Sequence, residues 1–100
     1  MLKAKEIQAY CLNSGIKTWS GGMLETGIGR AFNLHLQTLP GFVLPGDTSE
    51  TARYFVEDIV DKPVMLQPDG FIEIPDGTGI GVDVLPERLE RYKIFSLKIL

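Results

Sequence analysis

The sequence predicts an α/β fold in which helices alternate with parallel strands. Three observations carry this prediction: an amphipathic helix near the N-terminus, a short β-prone run after it, and a second helix followed by another short apolar run. This order is typical of β/α units, whose strands lie parallel. Two such strands cannot bury both faces of a sheet by themselves, so we expect the sheet to need further elements.

The first helix is predicted from Ala4, Ile7, Cys11 and Leu12, which recur on one helical face. Gly15 is placed for a left-handed C-terminal cap. The first turn has no Ser, Thr, Asp or Asn before it, which favours a chain cut from something longer. A frayed helix end is the alternative. Cys11 is the only cysteine and is expected to be buried.

Residues 16–19 are predicted to form a strand directly after this helix. A second helix is expected to begin near Thr26 and to end before Pro40. Its predicted buried stripe consists of Ile28, Ala31, Phe32, His35 and Leu39. Residues 42–44 form the next short apolar run, which predicts the second strand.

The pattern changes after residue 59. Residues 64–66 and 71–74 flank a Pro-Asp-Gly sequence, which predicts a β-hairpin with a tight turn. A glycine-rich segment then precedes a short helical pattern over residues 86–92. Residues 94–100 are compatible with a final strand.

Composition excludes several classes of function. The 100 residues are 44% hydrophobic and 23% charged, which is ordinary for a globular protein. The net charge of -3, without a basic cluster, argues against nucleic acid as a partner. The sequence has neither an apolar run of the ~20 residues that a membrane helix needs nor the apolar core of a signal peptide. We therefore expect a cytoplasmic protein that does not bind membranes.

Gly21 and Gly22 end the first predicted strand just before the second helix. Because glycine has no Cβ, a ligand can approach the backbone there. The helix N-terminus offers unpaired N–H groups, which suit a carboxylate or a phosphate. This corner is therefore a candidate anion-binding site. The alternative is that the glycines only permit a tight turn.

Other candidate chemistry has weaker support. Neither glycine cluster forms a dinucleotide fingerprint or a phosphate loop. His35 and Cys11 are expected to pack in the core. Hard cations need oxygen ligands that converge from separate elements, whereas the acids of one loop and one short stretch favour surface or capping roles. These acids are Asp47 and Glu50, which are placed for a capping box, and Glu57 and Asp58.

Several motifs occur in one order over most of the chain: Trp-Ser-Gly-Gly-Met-Leu-Glu-Thr-Gly-Ile-Gly-Arg-Ala at residues 19–31, Leu-Pro-Gly-Phe at 39–42, Leu-Pro-Gly-Asp at 44–47 and Arg-Tyr-Phe at 53–55. In this the sequence resembles the C-terminal part of o-succinylbenzoate synthases and N-acylamino acid racemases. These enzymes belong to the muconate cycloisomerase-like subgroup of the enolase superfamily. The resemblance covers about residues 2–82 and extends toward residue 92.

The resemblance implies an α/β (TIM-type) barrel with a separate capping domain. Residues 1–59 would form the last β/α units of the barrel, with 16–19 and 42–44 as its seventh and eighth strands. Residues 60–100 would form a tail with a β-hairpin that returns to the capping domain. The family binds Mg²⁺ or another divalent metal through three carboxylates, and two lysines exchange the α-proton. Both sets belong to earlier strands, so the resemblance places no catalytic residue and no metal ligand in this chain.

What the resemblance carries over is substrate lining. Gly22, Met23 and Leu24 match the strand-seven loop that contacts substrate, and Tyr54 matches an aromatic position beside the side-chain pocket. Three lysines lie outside the catalytic motifs: Lys3, Lys5 and Lys17.

The resemblance implies a C-terminal fragment that lines the pocket and is inactive alone. The complete enzyme would either dehydrate a cyclohexadiene carboxylate in menaquinone biosynthesis or racemise N-acylated amino acids by 1,1-proton transfer. The expected partners are the missing N-terminal barrel and capping portion, or a second copy of the chain, with a small carboxylate as substrate. The alternatives are a non-catalytic association module and a small carboxylate-binding domain.

Overall fold

The computed structural model describes residues 1–99. Within them lie three α-helices, α1 (Leu2–Asn13), α2 (Gly27–Gln37) and α3 (Pro86–Tyr92), and a 3-10 helix over Thr51–Arg53. In these residues the extended segments pair through isolated bridges instead of long strands. The bridges join Thr18 to Phe42 in parallel, and Val60 to Val84 and Leu66 to Ile72 in antiparallel orientation.

The parallel pair joins the two predicted strands. Beyond the bridge at Thr18, the Leu44 N–H donates to the Thr18 carbonyl at 3.2 Å, and the Asp47 N–H donates to the Ser20 carbonyl at 2.9 Å. The predicted parallel contact between the segment before α2 and the segment after it is therefore confirmed. This contact sets the loop before α2 beside the chain that follows residue 44.

Helix α1 ends as predicted, but its buried face differs from the prediction. Gly15 has a φ of 71°, and the Ile16 N–H donates to the Cys11 carbonyl at 2.8 Å, which forms a left-handed cap. The buried residue of α1 is Gln8, whose Oε1 accepts the Gly41 N–H at 2.9 Å. Ile7 is 59% exposed, and Cys11 is only half-buried. Because the buried contact of α1 is a polar side chain, the predicted apolar stripe stays only partly buried, with Ile7 and Leu12 exposed.

Helix α2 also buries a different stripe from the predicted one. Its buried residues are Gly27, Arg30, Ala31 and Leu34. Phe32 is 41% exposed, whereas Arg30 is 1% exposed. A prediction from hydrophobic periodicity places arginine on the surface because the residue is charged. It therefore misses an arginine that is buried and whose guanidinium donates to backbone carbonyls. His35 is half-buried and forms a hydrogen bond in which its Nε2 lies 3.1 Å from the carbonyl oxygen of Ile80 in the glycine-rich segment.

The last third of the chain returns to the segment that follows the 3-10 helix. The Leu85 N–H donates to the Ile59 carbonyl at 2.8 Å. Arg88 Nη1 donates to the Asp58 carbonyl at 2.8 Å. Helix α3 covers the predicted residues 86–92, and Leu66 pairs with Ile72 at the place of the predicted hairpin. Residues 94–99 form no strand, and Leu100 of the predicted final strand lies outside the described residues.

The structure leaves much apolar surface exposed. The buried apolar side chains are Ala31, Leu34, Val60 and Val64. The accessible surface is 7502 Å², whereas a compact monomer of this mass exposes about 5,700 Å². The radius of gyration is 15.4 Å, against about 13 Å for a compact domain of this length. In residues 1–99 the helices are too short or too polar to span a bilayer.

Candidate substrate-lining site

The loop between the first extended segment and α2 carries three of the four predicted site residues. Met23 and Leu24 are 74% and 66% exposed, while Gly22 is half-buried. The Met23 N–H donates to Glu25 Oε2 at 2.9 Å, and this hydrogen bond between two residues of the loop stabilises its conformation. The loop therefore presents the Met23 and Leu24 side chains outward.

Gly22 is needed because the protein's own backbone lies against it. A Cβ built at residue 22 would lie 1.9 Å from the Asp47 carbonyl oxygen, far inside van der Waals contact. The neighbouring parallel segment thus passes where a side chain would be. The sequence predicts that the glycines either belong to an anion-binding site or only permit a tight turn. The close approach of the Asp47 carbonyl favours a packing role for Gly22.

The N-terminus of α2 already holds a carboxylate, and this carboxylate belongs to the chain itself. Asp58 Oδ1 accepts the Gly27 N–H at 3.0 Å and the Ile59 N–H at 2.7 Å. Its Oδ2 accepts the Thr51 hydroxyl at 3.0 Å. The anion expected at this corner is therefore a buried aspartate that caps α2 from a distance of 31 residues along the chain.

The other acids have separate partners. Glu57 forms ion pairs with Arg88 at 3.2 Å and Arg91 at 2.6 Å. Glu50 accepts the Leu66 N–H at 3.3 Å, so the predicted capping box with Asp47 does not form. These carboxylates do not converge on one point. In the described residues no group of three or more His, Cys, Asp or Glu side chains could hold a metal ion.

Tyr54 borders a cavity of about 440 Å³. The cavity is lined by Thr26, Tyr54, Phe55, Val56, Glu57, Asp58, Ile59 and Tyr92. Thr26 ends the loop that carries Met23 and Leu24, but Gly22, Met23 and Leu24 do not line this cavity. The structure therefore brings Tyr54 to the same cavity as Thr26, and the other three predicted site residues lie outside the lining of that cavity. A cavity of about 480 Å³ between residues 62 and 76 shares no residue with this site.

Arg30 lies against Tyr54 and was not predicted as a site residue. Its Cζ lies 5.2 Å from the centre of the Tyr54 ring. Arg30 Nε donates to the Glu25 carbonyl at 3.0 Å, and Nη1 donates to the Ser49 carbonyl. The remaining nitrogen, Nη2, is buried without a hydrogen-bond partner.

Residues 1–88 match the family described as "Enolase C-terminal domain-like", and the chain belongs to this family. The chain is 47% identical over 90 residues to an N-succinylamino acid racemase of Thermus thermophilus, which covers 90% of the chain and 24% of that protein. It is 44% identical over 94 residues to an o-succinylbenzoate synthase of Geobacillus stearothermophilus, covering 94% of the chain and 25% of that enzyme.

Solved structures agree with the fold. A crystal structure of an enolase superfamily member from Listeria innocua superposes with a TM-score of 0.86 at 42% identity, covering 92% of this chain and 24% of that one. A 2-chloromuconate cycloisomerase from Rhodococcus opacus gives a TM-score of 0.82 at 26% identity, covering 92% of this chain and 25% of the other. The resemblance found in the sequence motifs is therefore confirmed. The chain spans about a quarter of the length of these relatives.

Proposed function

We propose that this chain is the C-terminal portion of an o-succinylbenzoate synthase or an N-acylamino acid racemase and that it lines the substrate pocket. The observation that carries the proposal is identity of 40–47% to relatives that bear the names of both activities. The reaction of the complete enzyme is accordingly dehydration in menaquinone biosynthesis or 1,1-proton transfer on N-acylated amino acids, in the cytoplasm.

In this proposal residues 1–59 form the last two β/α units of a TIM-type barrel, and residues 60–100 form the tail toward the capping domain. The parallel contact between Thr18 and Phe42 supports neighbouring seventh and eighth strands. Chemistry in such barrels takes place at the C-terminal ends of the strands. The loop of Gly22, Met23 and Leu24 follows the first of these segments, which supports its assignment to the pocket wall.

The family implies a divalent metal, usually Mg²⁺, but the acids of this chain do not fit one. Asp58 accepts hydrogen bonds from two N–H groups and a hydroxyl, and Glu57 is paired with two arginines. We therefore assign the metal and the catalytic lysines to other parts of the complete enzyme. No catalytic step is assigned to a residue of this chain.

The exposed surface supports a large partner. The chain exposes roughly 1,800 Å² more than a compact monomer of its mass, which is the area that one side of an obligate interface buries. Part of this surface consists of exposed apolar side chains of α1, namely Leu2, Ile7, Tyr10 and Leu12. We propose the rest of the barrel and the capping portion as the occupant, and self-association as the alternative. An independent carboxylate-binding domain is disfavoured because Asp58 occupies the helix N-terminus.

The test is reconstitution. The purified chain, with Mg²⁺ and either the cyclohexadiene carboxylate or an N-succinylamino acid, is expected to show no turnover. Co-expression with the part of the Geobacillus stearothermophilus enzyme that precedes the matched region should give a stable complex with activity. Turnover by the chain alone would contradict the proposal. So would a compact monomer that does not bind the co-expressed part of the Geobacillus stearothermophilus enzyme.

Two methionine variants make the test specific to the pocket. Met23→Asp is expected to lower the activity of the complex at least tenfold, because it places a charge in the proposed wall. Met65→Asp is the matched control, since Met65 is similarly exposed at 62% but lies in the tail. Equal effects of the two substitutions would refute the assignment of the loop to the pocket.

A further inference from the structure

We infer that Arg30 is a positioning residue that fixes the distance between the Met23 loop (residues 22–24) and the ring of Tyr54. The inference rests on the proposed function, because it takes both the loop and the ring as walls of the substrate pocket. It adds the residue that holds these two walls together and the part of the substrate that responds to it, namely the substrate side chain.

The guanidinium of Arg30 joins two loops. Arg30 is 1% exposed, its Nε donates to the Glu25 carbonyl at 3.0 Å, and its Nη1 donates to the Ser49 carbonyl. Glu25 lies in the loop before α2, whereas Ser49 lies in the loop after the second extended segment. Because the guanidinium is planar and its donors have fixed directions, two such bonds leave it little freedom to turn. Arg30 therefore holds both loops at one place on α2.

Glu25 connects Arg30 to the Met23 loop. The Oε2 atom of Glu25 accepts the Met23 N–H at 2.9 Å, and its Oε1 accepts the side-chain amide of Asn33 at 3.2 Å. A Cβ built at Gly29 would lie 2.7 Å from the Glu25 Cβ, so Glu25 packs directly against α2 at a position without a side chain. Both the backbone and the side chain of Glu25 are therefore fixed to α2, and the Met23 N–H is fixed to Glu25.

The ring of Tyr54 packs on the same guanidinium. The Cζ atom of Arg30 lies 5.2 Å from the ring centre, within the range of a cation–π contact. Arg30 Nη2 is buried without a hydrogen-bond partner, and an aromatic face attracts a guanidinium, so the ring compensates the part of Arg30 that no oxygen accepts. Tyr54 lines the cavity of about 440 Å³, whereas Arg30 does not line it. Arg30 therefore acts through Tyr54 and Glu25, and does not touch the ligand.

One side chain thus sets the spacing of two walls that line no common cavity within the chain. A substrate whose side chain reaches the Tyr54 ring contacts both walls, so a shift of one wall against the other weakens its binding. A substrate with a methyl side chain is too short to reach both walls and should not respond. Small displacements of positioning groups have large effects on enzymes, which makes this difference between long and short side chains measurable.

Hydrogen exchange of the Arg30 Nε–H, followed by NMR on the intact chain, tests the coupling without any enzyme activity. Tyr54→Leu removes the ring and should raise the exchange rate of this proton about threefold or more, because the hydrogen bond to the Glu25 carbonyl loses its support. Tyr92→Leu is the matched control: Tyr92 lines the same cavity and is 54% exposed, against 49% for Tyr54, but it bonds to Glu57. The Leu34 amide in α2 is the reference for global unfolding.

The outcomes of this measurement are distinct. A rise for Tyr54→Leu that exceeds the rise for Tyr92→Leu, relative to the Leu34 amide, supports the inference. Equal rises in the two variants, or no rise in Tyr54→Leu, would overturn it. Tyr54→Phe keeps the ring and decides the matter if Tyr54→Leu does not fold: the exchange rate should stay within about twofold of wild type, and a larger rise would overturn the inference.

The reconstituted enzyme extends the test to substrate side chains. We expect Arg30→Met to lower kcat/KM for N-succinylphenylalanine about fivefold relative to N-succinylalanine, mainly through KM, and Arg30→Lys to restore part of it. Leu34→Ala is the matched control, because Leu34 is a buried residue of the same helix and its loss should affect both substrates equally. An unchanged ratio in Arg30→Met, or an equal change in Leu34→Ala, would contradict the inference. Absence of all turnover with wild-type Arg30 would contradict the proposed function alone, because the exchange result judges the inference without it.

Discussion

Replacing Asp58 by alanine should destabilise the chain more than any other single loss of a carboxylate. The side chain is 4% exposed and joins three segments: the start of α2 through Gly27, the 3-10 helix through Thr51, and its own successor Ile59. Hydrogen bonds to a charged group contribute about 1.5–3 kcal/mol each, and the buried Gly27 N–H and the part-buried Ile59 N–H would both lose their acceptor. The Thr51 hydroxyl can rotate to another acceptor, so we expect a loss of about 3–5 kcal/mol.

The assay is urea unfolding followed by the circular dichroism of the helices. Asp58→Asn keeps one acceptor oxygen but loses the charge, so its loss should be about 1–2 kcal/mol. Asp76→Ala is the matched control: it removes the same charge from an exposed position and should change stability by less than about 0.5 kcal/mol. If Asp58→Ala abolishes the cooperative transition because the apolar core is small, the smaller loss of unfolding free energy in Asp58→Asn measures the contribution of the charge.

The free energy of unfolding should be lowest for Asp58→Ala, intermediate for Asp58→Asn and highest for the wild type. Any other order would refute this reasoning. Equal losses for Asp58→Ala and Asp76→Ala would show that net charge, and not the three hydrogen bonds, sets the effect. Wild-type stability in Asp58→Ala would show that the N-terminus of α2 needs no internal carboxylate.

Three further predictions follow from single contacts. Gly22→Ala should lower stability by about 2–4 kcal/mol in the same assay, whereas Gly21→Ala, whose Cβ would have ordinary contacts at 3.7 Å, should cost less than about 1 kcal/mol. The Asp83 N–H lowers the pKa of Asp61 below its ordinary value of 3.8. The stability gained from ionised Asp61 is therefore complete above that value and is lost as pH falls through the lower folded-state pKa, which an NMR titration of its carboxylate checks. Glu57→Gln should cost about 1 kcal/mol at low salt, and less in 1 M NaCl, because its ion pairs are partly exposed.

Local signals predicted the local structure well. The Gly15 cap depends on one residue whose φ of 71° few other residues adopt, and the bounds of α3 depend on a proline at its first position. The parallel order of the segments around α2 follows from the alternation of element types. In each case the determinants lie within a few residues of the feature, so the sequence contains the necessary information.

Contacts between distant residues could not be predicted in the same way. Asp58 and Gly27 are 31 positions apart, and no periodicity links an aspartate after the 3-10 helix to the start of α2. Arg30 lies on the buried face of α2 although its residue type predicts exposure. The stripe of α1 was predicted as a buried face because hydrophobic periodicity indicates that a face is apolar but not which element covers it.

The proposal that a partner covers α1 accounts for both the exposed apolar side chains of α1 and the small core of the chain. A helix whose only buried residue is Gln8 gains little from packing within the chain, while Ile7, Tyr10 and Leu12 expose apolar surface that the proposed partner would bury. A partner that binds only the folded chain also stabilises it, by mass action. We therefore expect that adding the proposed partner raises the unfolding midpoint of the chain in proportion to the logarithm of the partner concentration. The residues that line the cavity beside Tyr54 all lie outside α1, so we expect ligand binding at this cavity to be insensitive to substitutions on the exposed face of α1.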